Sequence, residues 1–296
     1  MGGGLSPPNY LKKSIGRRDE RLKSIKLSCL TVVLIGIITT FSGCSVVENI
    51  EKKLGWKTDY FQYLDSENVE QISIQSMRDL GFKFIVTEGS AKNTMYNLLS
   101  KAQKSTEKSN LEPDYIFEFD LGDEVKKFYY VVGSESGNFY NDTDVYTVSN
   151  RIDEVIIQNL SFIRKPKEFN YIYYKPILEV LKKIEPSLKD KDYKIGINIK
   201  SDADCLKYIF SNDLKDFTSD AEKIISNVEL VQTTTAGYDV VITVKNRGYD
   251  TLVYKTAITV NNKRENTEET YYVVAQYEYK KWNISISEPN VKPSNW

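Results

Sequence analysis

From Tyr238 to Ile286 apolar residues return at alternate positions in four consecutive runs, and no other feature restricts the fold as much. The runs are Tyr238, Val240, Ile242 and Val244; Leu252, Tyr254, Ile258 and Val260; Tyr271, Val273, Ala275 and Tyr277; then Trp282, Ile284 and Ile286. A period of two places each set on one face of a strand. The intervening turns carry Asn, Gly and Lys, so an antiparallel meander with one face covered by helices is the economical solution.

The helices to cover it precede it. One is expected from about Pro176, with Ile177, Leu178, Val180, Leu181 and Ile184 on one face, closed by Pro186. A short strand follows from Lys194 to Ile199. Ser201 with Asp204 begins another amphipathic helix through Leu206, Ile209 and Phe210, and Ser219-Asp220-Ala221-Glu222 has the capping-box form for a further turn or two. Helices ahead of a long sheet ending in a Trp-x-Ile strand resemble the cystatin or NTF2-like class, at the level of fold alone.

The middle of the chain has the same two periods in another order. Ile72 and Ile74 mark a strand, and Phe82 to Val86 a second. Ser90 then caps a helix reaching about Lys104 through Ala91, Met95, Leu98, Leu99 and Ala102. Tyr115 to Leu121 and Lys127 to Val132 form a hairpin around Gly122-Asp123, Val145 to Val148 a third strand, and Ser149 or Asn150 caps a helix that Pro166 stops. Residues 59–166 thus read ββαβββα, one α+β domain, with the polar stretch 167–170 as boundary and a second α+β domain over 167–296. Each is expected to be an antiparallel sheet with helices packed on one face.

The N-terminus has a different logic. Lys12, Lys13, Arg17, Arg18, Arg21, Lys23 and Lys26 precede an apolar stretch from Leu27 to Thr40. That stretch of about 14 residues is shorter than the roughly 20 that cross a hydrocarbon core, so a signal peptide over residues 1–43 is expected rather than a span. Phe41-Ser42-Gly43-Cys44 resembles the lipobox of bacterial lipoproteins, with Phe41 where leucine is usual. The resemblance implies lipidation of Cys44, whose thiol would accept the lipid, a tether over 44–58, and a body anchored to the cell membrane on its extracytoplasmic side. The alternative is an uncleaved anchor with the same orientation, the basic residues staying in the cytoplasm.

Glu112-Pro113-Asp114-Tyr115, Lys127-Phe128-Tyr129-Tyr130-Val131, the loop from Ser136 to Thr143 and Val145-Tyr146-Thr147-Val148-Ser149 resemble lipoproteins of clostridia and bacilli that carry a YhfM-like domain. These segments fall in the first domain, residues 59–166, about a third of the chain, and contain no catalytic signature. What the resemblance implies is a membrane-tethered envelope protein without site residues to carry over.

The chain has no histidine, which removes Ser-His-Asp and Cys-His catalysis and histidine-based zinc sites together. Of three cysteines, removal of the leader and lipidation of Cys44 leave Cys205 as the only thiol, read as a small buried hydrophobe rather than a nucleophile. Asn138 to Asp144 concentrates oxygen atoms that suit either a turn or a calcium ion, without the spacing of an EF-hand. Tyrosines at Tyr129 and Tyr130 and at Tyr171, Tyr173 and Tyr174 serve either the core or a binding surface, although one strand cannot bury both Tyr129 and Tyr130 on one face. The leader carries +5, so a net charge of −1 leaves −6 on the remainder. Without a basic stripe, nucleic-acid binding has no support. No motif names a cofactor. The sequence therefore points to a non-catalytic module that binds an envelope protein or ligand; the alternatives are an envelope enzyme using carboxylates, and a structural spacer without pocket or apolar patch.

Overall fold

The computed structural model describes residues 57–65, 67–158, 165–294 and 296. The leader, Cys44 and the tether to residue 56 lie outside the described residues, as do residues 159–164 of the helix expected before Pro166. The fold is α+β, built on two antiparallel-rich sheets, with Asp59–Trp296 forming one compact unit.

The first sheet has seven strands in the order β2-β1-β4-β5-β6-β7-β3. They are β1 (Gln71–Ser76), β2 (Lys83–Val86), β3 (Gln103–Lys104), β4 (Tyr115–Asp120), β5 (Val125–Tyr130), β6 (Phe139–Tyr140) and β7 (Val145–Thr147), with helices α1 (Gly89–Leu99) and α2 (Arg151–Gln158). Alternation decides the inner face: Ile72 and Ile74, Phe117 and Phe119, Phe128 and Tyr130 are all buried. Phe139 from β6 stacks on Phe128 at 4.8 Å between ring centres, and Phe61 closes the cluster edge-on to Phe128 at 5.5 Å. Met95 and Leu99 of α1 and Ile152 and Ile156 of α2 complete this core.

The strands and helices expected here are present, with differences at their ends. The first helix stops at Leu99, short of Lys104, because Gln103 and Lys104 pair with β7 instead. Ser90 is not its cap; the cap position is Glu88, to whose carboxylate the Ser90 hydroxyl donates at 2.5 Å. The strands β3 and β6 are two residues long, too short to show a period.

The second sheet runs β13-β12-β11-β10-β8-β9, with β8 (Ile195–Asn198), β9 (Val228–Leu230), β10 (Val240–Tyr249), β11 (Val253–Asn262), β12 (Thr267–Glu278) and β13 (Lys281–Ile286). The strands β10 to β13 are the antiparallel meander that the alternation required. To it the structure adds a parallel arrangement, since β8 pairs parallel with both β10 and β9. Helix α4 (Ser211–Ile224) is the crossover that parallel neighbours need.

Two helix expectations are corrected. Helix α3 covers Phe169–Leu188 and contains both Pro176 and Pro186, rather than lying between them. An internal proline costs about 3 kcal/mol. Here ten buried side chains, among them Ile172, Tyr173, Ile177, Val180 and Leu181, outweigh that cost. No α-helix begins at Ser201. The segment holds only a 3-10 turn at Leu206–Tyr208, and the Asp202 carboxylate accepts the Asn246 N–H at 2.8 Å, across to β10. The α-helix starts instead at Ser211, so Ser219 to Glu222 lie in its interior, where a capping box has no free N–H groups to satisfy.

The turn between β12 and β13 has Tyr279 and Lys280 at φ values of 52° and 62°, the two left-handed positions of a type I′ hairpin. Neither residue suits that conformation, and Tyr279 is 93 % exposed, so packing does not compensate. Replacing the pair by Asn and Gly is expected to raise stability by about 1–2 kcal/mol, read from the urea midpoint. An unchanged midpoint would show that the turn is not strained.

Candidate functional site

Asp114, the residue immediately before β4, is 2 % exposed and stands at the centre of the site. One carboxylate oxygen accepts the Ser211 N–H at 2.8 Å and the Arg78 guanidinium; the other accepts the Val132 N–H at 2.8 Å. Arg78 also donates to the Ser211 hydroxyl, which donates in turn to the Glu112 carbonyl at 2.6 Å. Ser211 is the first residue of α4, whose leading N–H groups have no carbonyl of their own and favour a negative charge. Burial pushes the Asp114 carboxyl up, and the Arg78 guanidinium together with the two N–H groups holds it back. The first lobe thus grips the second through one buried carboxylate. Tyr115 packs against Phe210 beside it, at 6.1 Å between ring centres.

A second cluster occupies the same junction. The Lys165 ammonium lies over Phe169, Tyr208 and Phe210, at 5.6, 5.5 and 5.4 Å from the ring centres. Burial lowers its pKa, and the charges of Asp213 and Asp153 oppose that shift. Asp153, in the first turn of α2, accepts the Tyr130 hydroxyl at 2.6 Å, and Asp213 accepts the Asn170 amide at 2.7 Å. Burial pushes each of these carboxyls up to about 6; the Tyr130 hydrogen bond opposes this at Asp153, and Lys165 opposes it at Asp213.

The pH dependence follows from the sign. A carboxyl with a folded pKa of about 6 and an unfolded one near 4 binds its proton more readily in the folded state. Its stabilising contribution is complete below about pH 4 and is lost as pH rises through 6. Asp153→Asn keeps an oxygen acceptor for Tyr130 and removes the charge. The variant is expected to be about 1–2 kcal/mol more stable than the parent at pH 7.5, with the difference falling to less than about 1 kcal/mol at pH 4.5. Urea unfolding at the two pH values checks this, and a variant less stable at pH 7.5 would refute it.

Above this junction a groove of about 990 Å³ opens between the lobes. Helix α4 supplies Leu214, Thr218 and Glu222 along one face. Leu230 at the end of β9 and the following Val231 and Gln232 form another side, and the first lobe supplies Met77, Leu80 and Pro113. Leu80 at the β1–β2 turn is 78 % exposed, a large apolar side chain with no core to fill. The rim carries Lys200, Lys215, Glu112 and Glu222, charges of both signs.

A shallower groove of about 650 Å³ lies between α3 and α4. Asp213, Asp216 and Asp220 line it in a row along one helix and do not face one another. Asp153 is not among its lining residues.

The residues singled out in the sequence are scattered. Cys44 lies outside the described residues. Cys205 is fully buried, in the turn before Leu206, and burial followed by the Asp202 charge pushes its thiol pKa up, away from reactivity. In the Asn141 loop, the Asn141 side-chain oxygen accepts the N–H groups of Thr143 and Asp144 at 2.9 and 2.7 Å, and Asp144 pairs with Lys104. That is a turn closed by its own asparagine. Tyr130 is in the core, whereas Tyr129, on the opposite face, stacks on Tyr140 at 5.6 Å. Tyr173 and Tyr174 are buried on α3, and only Tyr171 of that cluster is exposed.

Sequence reasoning missed Arg78, Asp114, Lys165 and Ser211. One clue was present. Arginine is scarce beside lysine in the body of the chain, and a rigid planar fork is what a buried carboxylate selects.

The fold and the groove define an α+β protein with a cleft between two lobes. Residues 65–166 match the family described as YhfM protein, so the first lobe is a YhfM-like domain, as the strand and turn phrases implied. Searches of the curated proteins and of the solved structures find no match. Among the described residues no helix is long and apolar enough to cross a membrane, and no group of three acidic or cysteine side chains could hold a metal ion.

Proposed function

We propose that this chain is an exported lipoprotein, lipidated on Cys44 and anchored to the cell membrane on the extracytoplasmic side. Its body there is a non-catalytic module that binds a partner or ligand in the inter-lobe groove. The observation that carries the binding reading is the groove itself: an apolar floor with exposed Leu80 and Met77, at a junction held rigid by the Asp114 network. A spacer would have no use for such a cleft. A carboxylate enzyme would need two carboxylates opposed across one cavity, and the acidic residues of the α3–α4 groove stand in a row. The leader pattern and the Phe41-Ser42-Gly43-Cys44 sequence support the placement.

Placement is tested by intact mass and membrane partition of the native protein beside Cys44→Ala. The native form should be cleaved before Cys44, carry lipid and partition with membrane, while the variant does none of these. Two unmodified proteins that keep the leader would end the lipoprotein reading. The groove is tested with an environment-sensitive dye, 8-anilinonaphthalene-1-sulfonate. Its fluorescence with the folded protein should fall at least about fivefold in Leu214→Glu at unchanged thermal midpoint, because one charge desolvates poorly in an apolar cleft.

A further inference from the structure

Helix α4 borders two grooves with two faces. Leu214 and Thr218 line the groove between the lobes, whereas Asp213, Asp216, Phe217 and Asp220 line the groove against α3. The floor of this second groove is formed by Tyr171, Leu178 and Ile224 with the stacked pair Tyr174 and Phe217, 4.7 Å between ring centres. Its charges are unevenly matched. Glu179 holds Lys175 at 2.8 Å and Lys182 at 3.1 Å, and Asp220 holds Lys223 at 2.8 Å. Among the described residues the Asp213 carboxylate accepts only the Asn170 amide, and the Asp216 carboxylate has neither hydrogen bond nor ion pair.

A row of acids on a helix is often no more than a solvated face, and Asp213 also suits the first turn of α4. A second observation points to a ligand. Tyr174 lines the same groove and is 7 % exposed, and its buried hydroxyl has no hydrogen-bond partner among the described residues. Burial, followed by the charge of Asp213, pushes the pKa of that hydroxyl well up. A buried hydroxyl is ordinarily satisfied. Here it stands near a carboxylate with spare lone pairs, and both can accept from one positively charged donor.

We propose that the α3–α4 groove binds a linear polyamine, its methylene segments on the aromatic floor and successive ammonium groups at Asp213, Asp216 and, in exchange with Lys223, Asp220. The spacing selects this class. At a rise of about 1.5 Å per residue, the three aspartates follow one another at about 4.5 and 6 Å along α4. They do not converge on a point, as the oxygen ligands of a divalent cation must. Side chains on one face of an extended peptide repeat at about 6.8 Å, longer than either interval. Ammonium groups separated by three and four methylenes lie about 5 and 6 Å apart, given carbon–carbon bonds of about 1.5 Å. Aromatic faces beside such a cation add to the attraction. The site is independent of the inter-lobe groove, since it uses the other face of α4.

The test is calorimetric titration of spermidine, which has those two spacers, into the full chain in non-ionic detergent at low salt. Binding is expected with a dissociation constant below about 1 mM, and butylamine, with one ammonium group, should bind at least about tenfold more weakly. Asp213→Asn and Asp216→Asn should each weaken spermidine at least about fivefold. Asp123→Asn removes the same charge at the opposite end of β4 from Asp114 and should leave the affinity unchanged. Tyr174→Phe keeps the ring and should weaken binding at least about threefold, whereas a hydroxyl with only a structural part would leave it as it was. No binding, an equal effect of Asp123→Asn, full displacement by equimolar magnesium, tighter binding of trilysine, or an unchanged affinity in Tyr174→Phe overturns the proposal. The comparison of the two amines stands even if a variant fails to fold. Leu214→Glu, on the other face of α4, should not alter spermidine binding, so this site and the inter-lobe groove fail separately.

Discussion

Arg78→Ala is expected to lower the stability of the protein by about 3 kcal/mol at neutral pH, the largest loss for any single charge in the body. The reason is Asp114 rather than the lost attraction. Its carboxylate is almost wholly buried and keeps the Ser211 and Val132 N–H groups as partners, but without the guanidinium its charge is no longer balanced. Arg78→Lys should recover part of the loss, since an ammonium restores charge without reaching both Asp114 and Ser211. The deficit should shrink as the pH is lowered, because a protonated Asp114 needs no counter-charge. Urea unfolding of the three proteins at pH 7.5 and 4.5 measures all of this. A loss below 1 kcal/mol would mean that water reaches the pair and that the Tyr115–Phe210 contact holds the lobes.

Gly137→Ala is expected to cost at least about 3 kcal/mol, or to prevent folded protein from accumulating. Gly137 has a φ of 57°, and a Cβ there would lie 2.2 Å from the Glu107 carbonyl oxygen and 2.9 Å from the Ser109 nitrogen. These are backbone atoms, and they cannot swing aside. The Ser109 N–H donates to the Gly137 carbonyl at 2.9 Å, and the Gly137 N–H to the Thr147 hydroxyl at 3.0 Å. Next to it the Asn138 side chain is buried, donating to the carbonyls of Ser134 and Val148 and accepting the Val148 N–H. The two segments are therefore fastened on both sides of the glycine, and relief would break several buried bonds together. Gly89→Ala is the control: no atom lies within 4 Å of the added carbon, so the change should stay within about 0.5 kcal/mol. Thermal and urea midpoints of the two variants decide the matter. Equal midpoints would show that the loop carrying Gly137 yields.

What the sequence determined by itself was whatever one element can express in its own period. The runs from Tyr238 to Ile286 specify β10 to β13, because a strand with one face on a core must alternate whatever lies beside it. Ile72 and Ile74, and Phe117 and Phe119, specify β1 and β4 for the same reason. The buried nature of Cys205 was legible from its apolar neighbours, and the match over residues 65–166 agrees with the strand and turn phrases that suggested a YhfM-like domain. The proposed lipidation of Cys44 and the proposed leader also rest on local order alone, a basic stretch, an apolar stretch and small residues before the cysteine.

The tertiary structure decided what depends on partners distant in the chain. Short β8 and β9, whose pairing is parallel, have no alternation of their own to display, and only the crossover through α4 reveals them. Helix α3 runs through Pro176 because the second core buries its flanks, a gain that no proline rule contains. Ser201 and Asp204 carry the local pattern of a helix start, yet Asp202 is drawn to the Asn246 N–H on β10, and the α-helix begins only at Ser211. The junction of Arg78, Asp114 and Ser211 and the groove above it join residues far apart in sequence, and none of the three side chains has local neighbours that announce its role. A periodic pattern reports which face of an element is buried; which other element buries it, and which polar groups must then be satisfied there, is settled only when distant segments meet and water is excluded.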